Sequence, residues 1–139
     1  MRIVHVLVNS LFMLAPALAA ANGLEGRDGW IREAPPQAPV RAGYVELRNG
    51  GPADVVLTGA RSEAFGAIEV HEMVGEGDLM RMRRLQELRV PAGGTVTLQP
   101  GGRHLMLFRP QRPLQAGDTV VVTLELVDGS SVDIELTQR

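Results

Sequence analysis

The dipeptide Asp128-Gly129, set between two runs of alternating apolar and polar residues, constrains this chain more than any other feature. A two-residue turn of that composition closes a β-hairpin, because Gly takes the positive φ that a type I′ turn demands. In the run that follows, 131–137, Val132, Ile134 and Leu136 fall to one side and Asp133 and Glu135 to the other, which is the period of a half-buried strand. Similar short segments recur at 44–48, 55–57, 67–73, 79–85, 95–98, 103–108 and 119–127. Between them stand turn clusters such as Asn49-Gly50-Gly51-Pro52, Glu76-Gly77-Asp78, Pro91-Ala92-Gly93-Gly94 and Pro100-Gly101-Gly102. No stretch carries a long helical period. The pattern predicts an all-β antiparallel sandwich or barrel of about seven to nine strands.

At 139 residues the sequence is one domain's worth. Residues 1–19 read as a signal peptide: Arg2 is the positive n-region, an apolar run follows, and Ala17-Leu18-Ala19 is a cleavage signal. His5, Asn9, Ser10 and Pro16 interrupt the run too often for a membrane-spanning helix. Residues 20–139 are then the mature domain, exported to a bacterial periplasm and free of the membrane after cleavage, with 20–27 expected as a flexible lead-in. A formal net charge of −2 gives no basic footprint for nucleic acid. All 14 basic residues are Arg.

The chain has no Cys. That removes disulfides, thiolate zinc sites, a Cys nucleophile and the blue-copper centre, which requires a thiolate. The scarce donors that remain are arranged with a definite spacing: His71, Met82, His104 and Met106 read H-x10-M-x21-H-x-M. Imidazole and thioether together form a soft ligand set suited to Cu(I) rather than Zn(II), Mg(II) or Ca(II). His104 and Met106 are two apart on a strand and share a face, with Leu105 and Leu107 turned to the core. Met82 lies on the returning arm of a hairpin that begins near His71, and Met73 shares the face of His71. Met80 is expected to pack rather than ligate.

These residues, with Val70-His71-Glu72-Met73, Leu79-Met80-Arg81-Met82-Arg83, the segment 90–98 from Val90-Pro91-Ala92-Gly93-Gly94 onward and Pro100-Gly101-Gly102-Arg103-His104-Leu105-Met106-Leu107, resemble the periplasmic copper chaperone family PCu(A)C. The resemblance runs from about Trp30 to Leu136. It implies a cupredoxin-like Greek-key β-sandwich or barrel, and a Cu(I) site made by His71, Met82, His104 and Met106. It also implies delivery of copper to the copper-centre subunit of cytochrome c oxidase or to a Sco-type assembly protein, by a chain expected to be monomeric. Arg103, Phe108 and Arg84 depart from the family pattern at positions that are not ligands. A copper-sequestering protein without a dedicated acceptor is the alternative.

Other residues carry lesser expectations. Trp30 and Tyr44 are expected to pack. Arg81, Arg83, Arg84 and Arg103 are expected to form a solvated face, with a docking surface as the alternative. Glu69 and Glu72 flank His71, and either could hold its second nitrogen. Enzymatic chemistry is not expected: Ser62, Ser130 and Ser131 sit in no nucleophile elbow, and the paired glycines precede strands rather than a phosphate-binding helix.

Overall fold

The computed structural model describes residues 22–139. The signal peptide expected over 1–19 lies outside the described residues. Ten strands follow in order: β1 Leu24–Ile31, β2 Val40–Asn49, β3 Val55–Arg61, β4 Phe65–Glu76, β5 Leu79–Leu85, β6 Leu88–Val90, β7 Thr95–Leu98, β8 His104–Pro110, β9 Thr119–Leu126 and β10 Ser131–Gln138.

Seven of them close on themselves. The hydrogen-bonded path β4-β8-β2-β1-β10-β9-β3 returns to β4 through the pair Ala60↔Ile68, giving a barrel without a free edge in that ring. Every pairing is antiparallel except β1 with β10. The remaining strands hang on the ring. β6 extends β3, and β7 pairs Val45–Arg48 of β2 beyond the stretch Val40–Gly43 that pairs β8. β5 forms a hairpin with β4.

Period-two alternation fills the barrel as the sequence predicts. Leu105 and Leu107 of β8, Val122 and Leu124 of β9, and Ile134 and Leu136 of β10 are buried together with Ile31, Val45, Leu47 and Leu57. Gly129 takes φ 86 in the β9–β10 turn, as its hairpin role requires.

Two expectations change. Within the lead-in expected over 20–27, the stretch from Leu24 onward is not flexible: β1 begins at Leu24, whose side chain is fully buried. The segment LEGRDGW has no clean alternation because it is wedged between two strands, with a register shift between Arg27 and Trp30. At Gly29 the approach is so close that a Cβ would lie 2.2 Å from the carbonyl oxygen of Glu135. The strand count also rises to ten, through β1 and the three-residue β6.

Among the described residues one Arg side chain lies inside. Arg41 is 2% exposed, and its guanidinium donates to Gln138 Oε1 at 3.0 Å and to the Pro35 carbonyl at 2.9 Å. It thereby ties the connection between β1 and β2 to the end of the barrel.

Candidate metal centre

β4 and β8 run side by side with His71 directly opposite His104, Glu69 opposite Met106 and Ala67 opposite Phe108. Val70, Leu105 and Leu107 point into the barrel, so His71, His104 and Met106 stand on its outer face. The β4–β5 hairpin adds the fourth donor. Its register sets Met82 opposite Met73 and Arg84 opposite His71. Met82 is therefore a diagonal neighbour of His71, not its direct partner. Diagonal residues on one face remain within reach of long side chains.

Met82, His104 and Met106 line one open cleft of about 340 Å³, together with Tyr44, Ala42 and residues Arg32 to Ala34. His71 lies beside it, its ring centroid 5.9 Å from that of His104. A larger cleft of about 780 Å³ elsewhere, bordered by Arg61 and Arg112, contains neither His nor Met. Among the described residues no group of three or more His, Cys, Asp or Glu could hold a metal, so a hard-ligand site has no candidate here.

The two imidazoles are oriented from opposite sides. Nε2 of His71 lies 2.8 Å from Glu69 Oε2. A carboxylate accepts, so the proton sits on Nε2 and the lone pair of the neutral ring sits on Nδ1. That Nδ1 is buried and has no hydrogen-bond partner among the described residues. Nδ1 of His104 lies 3.2 Å from the Gly102 carbonyl, which also only accepts, so the free lone pair is on Nε2. Burial holds the pKa of His104 below the ordinary imidazole value; the Gly102 carbonyl opposes this, and the neighbouring His71 adds to it. A neutral imidazole with a free lone pair is the form that ligates a metal.

Of the two acids flanking His71, Glu69 is the one that holds it. Glu72 faces the other side of the hairpin, paired with Arg83 and, at 3.9 Å, with Arg103. Glu69 also meets Arg84 at 3.3 Å, and Arg81 meets Glu76 at 3.0 Å. Each of the four arginines thus has a carboxylate partner, and the cluster is not a bare positive patch.

Tyr44 is the residue whose place the sequence leaves ambiguous. It is buried, 4% exposed, yet it is not part of the barrel's main core cluster. Its ring lies on the outer side, 6.5 Å from His104 and 4.6 Å from Trp30, which in turn lies 3.8 Å beneath the Arg139 guanidinium. Tyr44 and Trp30 thus form an aromatic wall behind His104. Period-two alternation was the available signal: Tyr44 falls on the face of Glu46 and Arg48, opposite the buried Val45 and Leu47.

Residues 24–137 match the family described as "Putative lipoprotein LpqE-like". The chain belongs to the LpqE-like family. A relative of this LpqE-like chain, "Putative lipoprotein Lxx21020" of Leifsonia xyli subsp. xyli, is 33% identical over 112 residues, 80% of this chain and 66% of its own length. The uncharacterized protein RP573 of Rickettsia prowazekii is 29% identical over 88 residues, 63% of this chain and 49% of its own length. The chain therefore spans less than two thirds of each of these relatives.

Solved structures share the fold. The copper-bound PCuAC domain from PmoF2 superposes with TM-score 0.69 at 20% identity, covering 84% of this chain and 92% of that one. The solution structure of CuI-DR1885 from Deinococcus radiodurans gives TM-score 0.64 at 31% identity, covering 80% of this chain and 74% of that one. The resemblance to the PCu(A)C family is thus upheld, as is its cupredoxin-like all-β barrel. The PmoF1 and PmoF2 structures are PCuAC domains.

Proposed function

We propose that this LpqE-like protein is an exported copper chaperone that carries one Cu(I) ion on His71, Met82, His104 and Met106. The single observation that carries the reading is the pair of facing imidazoles, each with one nitrogen tied to a carboxylate or carbonyl and the other left free. The buried, unpartnered Nδ1 of His71 is the sharpest part of it. A buried polar atom without a partner is costly, and a bound ion removes that cost. The solved relative that is 31% identical is a Cu(I) form, which supports the oxidation state.

All four donors are neutral when ligating, so the loaded site would carry a charge of only +1, tolerable on an open barrel face. Cu(II) prefers tetragonal nitrogen and oxygen donors and is poorly served. Thiolates bind Cu(I) more strongly than thioethers. A hand-off to a Cys-bearing acceptor is therefore downhill and needs no catalytic group. The acceptor in this reading is the copper-centre subunit of cytochrome c oxidase or a Sco-type assembly protein, and the compartment is the periplasm.

Competition with a chromophoric Cu(I) chelator tests the site. One Cu(I) per chain is expected, with binding weakened by about a hundredfold or more in Met82→Ala and His104→Ala, as loss of a direct ligand should exceed the effect of losing its outer support. Affinity equal to wild type in both variants would end the reading. A deletion strain tests delivery: loss of oxidase activity that added copper restores supports it. Copper sensitivity with a normal oxidase would instead assign sequestration.

A further inference from the structure

The β4–β5 hairpin carries more sulfur than the proposed resident site uses. On the face that bears His71, Met73 lies directly opposite Met82, and Met80 lies opposite Gly75, one step nearer the turn. Gly75 leaves that step open: the Met80 sulfur lies 3.6 Å from where a Gly75 Cβ would be, so it rests over the same face. Directly opposed residues have Cβ atoms about 5 Å apart, and diagonal ones remain within reach of a flexible side chain. Met73 is the direct partner of Met82 across the ladder, and Met80, two residues before Met82 on the same strand, is the diagonal neighbour of Met73.

Two of these three sulfurs, those of Met80 and Met82, are not needed for packing at the strand's outer end. Met80 is 61% exposed and Met82 51%. Methionine usually earns its place by filling irregular core gaps, and these two fill none. What they share with Met73 is a row of neutral, soft donors running from His71 towards the turn at Gly77.

We propose that Met73, Met80 and Met82 form a second, thioether-only Cu(I) subsite through which the ion enters and leaves, Met82 being the ligand shared with the resident site. This rests on the chaperone reading above. Met82 is the sole proposed resident ligand on β5, a strand outside the closed ring, and it is the most exposed of the four. Rotation of its side chain moves the sulfur from the cleft shared with His104 and Met106 towards Met73 and Met80. Cu(I) then exchanges imidazoles for thioethers one at a time without becoming free. Three thioethers hold it more weakly than the mixed site and in the open, where an incoming thiolate can reach it. No electron moves and no proton is required, since all these donors are neutral.

The test uses the whole chain with Met73→Leu, Met80→Leu and the double variant, Leu conserving volume while removing sulfur. Transfer of Cu(I) to a chromophoric chelator is followed by stopped flow, beside the equilibrium affinity. Expected for the double variant is an affinity within about twofold of wild type but release slowed by about tenfold, equivalent to about 1.4 kcal/mol on the exchange barrier. Titration with Ag(I), a redox-silent stand-in for Cu(I), is read on the methionine methyl resonances. Met82 and Met106 should shift up to one equivalent, and Met73 and Met80 only beyond it. Unchanged release rates, or Met73 and Met80 methyls that never shift, overturn the relay. A large loss of affinity in the double variant also overturns it, by making Met73 or Met80 a resident ligand. Failure of the wild type to bind Cu(I) at all would instead overturn the chaperone reading itself.

Discussion

Glu69 reaches His71 across one residue of the same strand, its carboxylate oxygen 2.8 Å from Nε2, and the same carboxylate meets Arg84 of the neighbouring strand at 3.3 Å. One acid therefore fixes both the proton and the tilt of the imidazole, while the arginine keeps that acid in place. Replacing Glu69 by Gln keeps an acceptor but discards the charge that secures it. Cu(I) affinity should fall by about tenfold, with the unfolding midpoint nearly unchanged. Chelator competition beside a urea melt checks this; full affinity in E69Q would show that the contact does not orient a ligand.

Acid should act on His104 in two ways. Burial favours its neutral form in the folded chain, so its folded pKa lies below the ordinary value of about 6.5. Between those two values the unfolded chain binds more protons than the folded one, and stability falls as pH falls. The contribution is fully present above about pH 6.5 and is lost as pH drops through the lowered folded value. A proton also competes for the lone pair that a metal would use, so Cu(I) binding should weaken in the same direction. Urea midpoints of apo protein from pH 7.5 down to 5 (about the span of imidazole titration), with His104 ring resonances followed in parallel, would reveal both effects. A midpoint that rises on acidification would contradict the burial.

Neighbouring residues of β8 should separate stability from binding. Leu105 is fully buried and Met106 stands on the outer face. Leu105→Ala should cost about 3 kcal/mol of stability while sparing the donor set. Met106→Leu should cost less than about 1.5 kcal/mol and strip a thioether from the site. Thermal melts and chelator competition on the two variants should give opposite profiles, and matching profiles would contradict the alternation.

Arg41 should matter well away from any ligand. Arg41→Leu would leave the Gln138 side chain and the Pro35 carbonyl without their donor, at a cost of about 2 kcal/mol. It would also loosen the connection whose residues Arg32 to Ala34 border the cleft. Hydrogen exchange should quicken in that connection first; uniform protection would contradict the tie.

Much of this was legible in the sequence, for a physical reason. Period-two alternation is dictated locally, so β5, β7 and the β9–β10 hairpin could be placed to within a residue or so. The spacing of His104 and Met106 likewise fixed their common face. What the sequence withheld depends on contacts between distant segments. β1 reads as loop because Gly26 and Gly29 are there to let Ile134 and Glu135 come close, not to pattern a surface. The hairpin's register is set by its turn: Gly77 and Asp78 pair Glu76 with Leu79, which carries Met82 to Met73. The same alternation separates Glu69 from Glu72: position 69 shares the face of His71 and meets its imidazole, whereas position 72 is turned to Arg83 and Arg103.

The ring of seven strands closes through β3 and β4 without help from β5, whose residues from Leu79 to Arg84 are all exposed. In the proposed site three donors are thus built into the wall of a closed vessel and the fourth into its latch. A carrier of that build would open its grip on an ion by bending one ribbon, and remain folded, reusable and unchanged in its interior when the ion had gone.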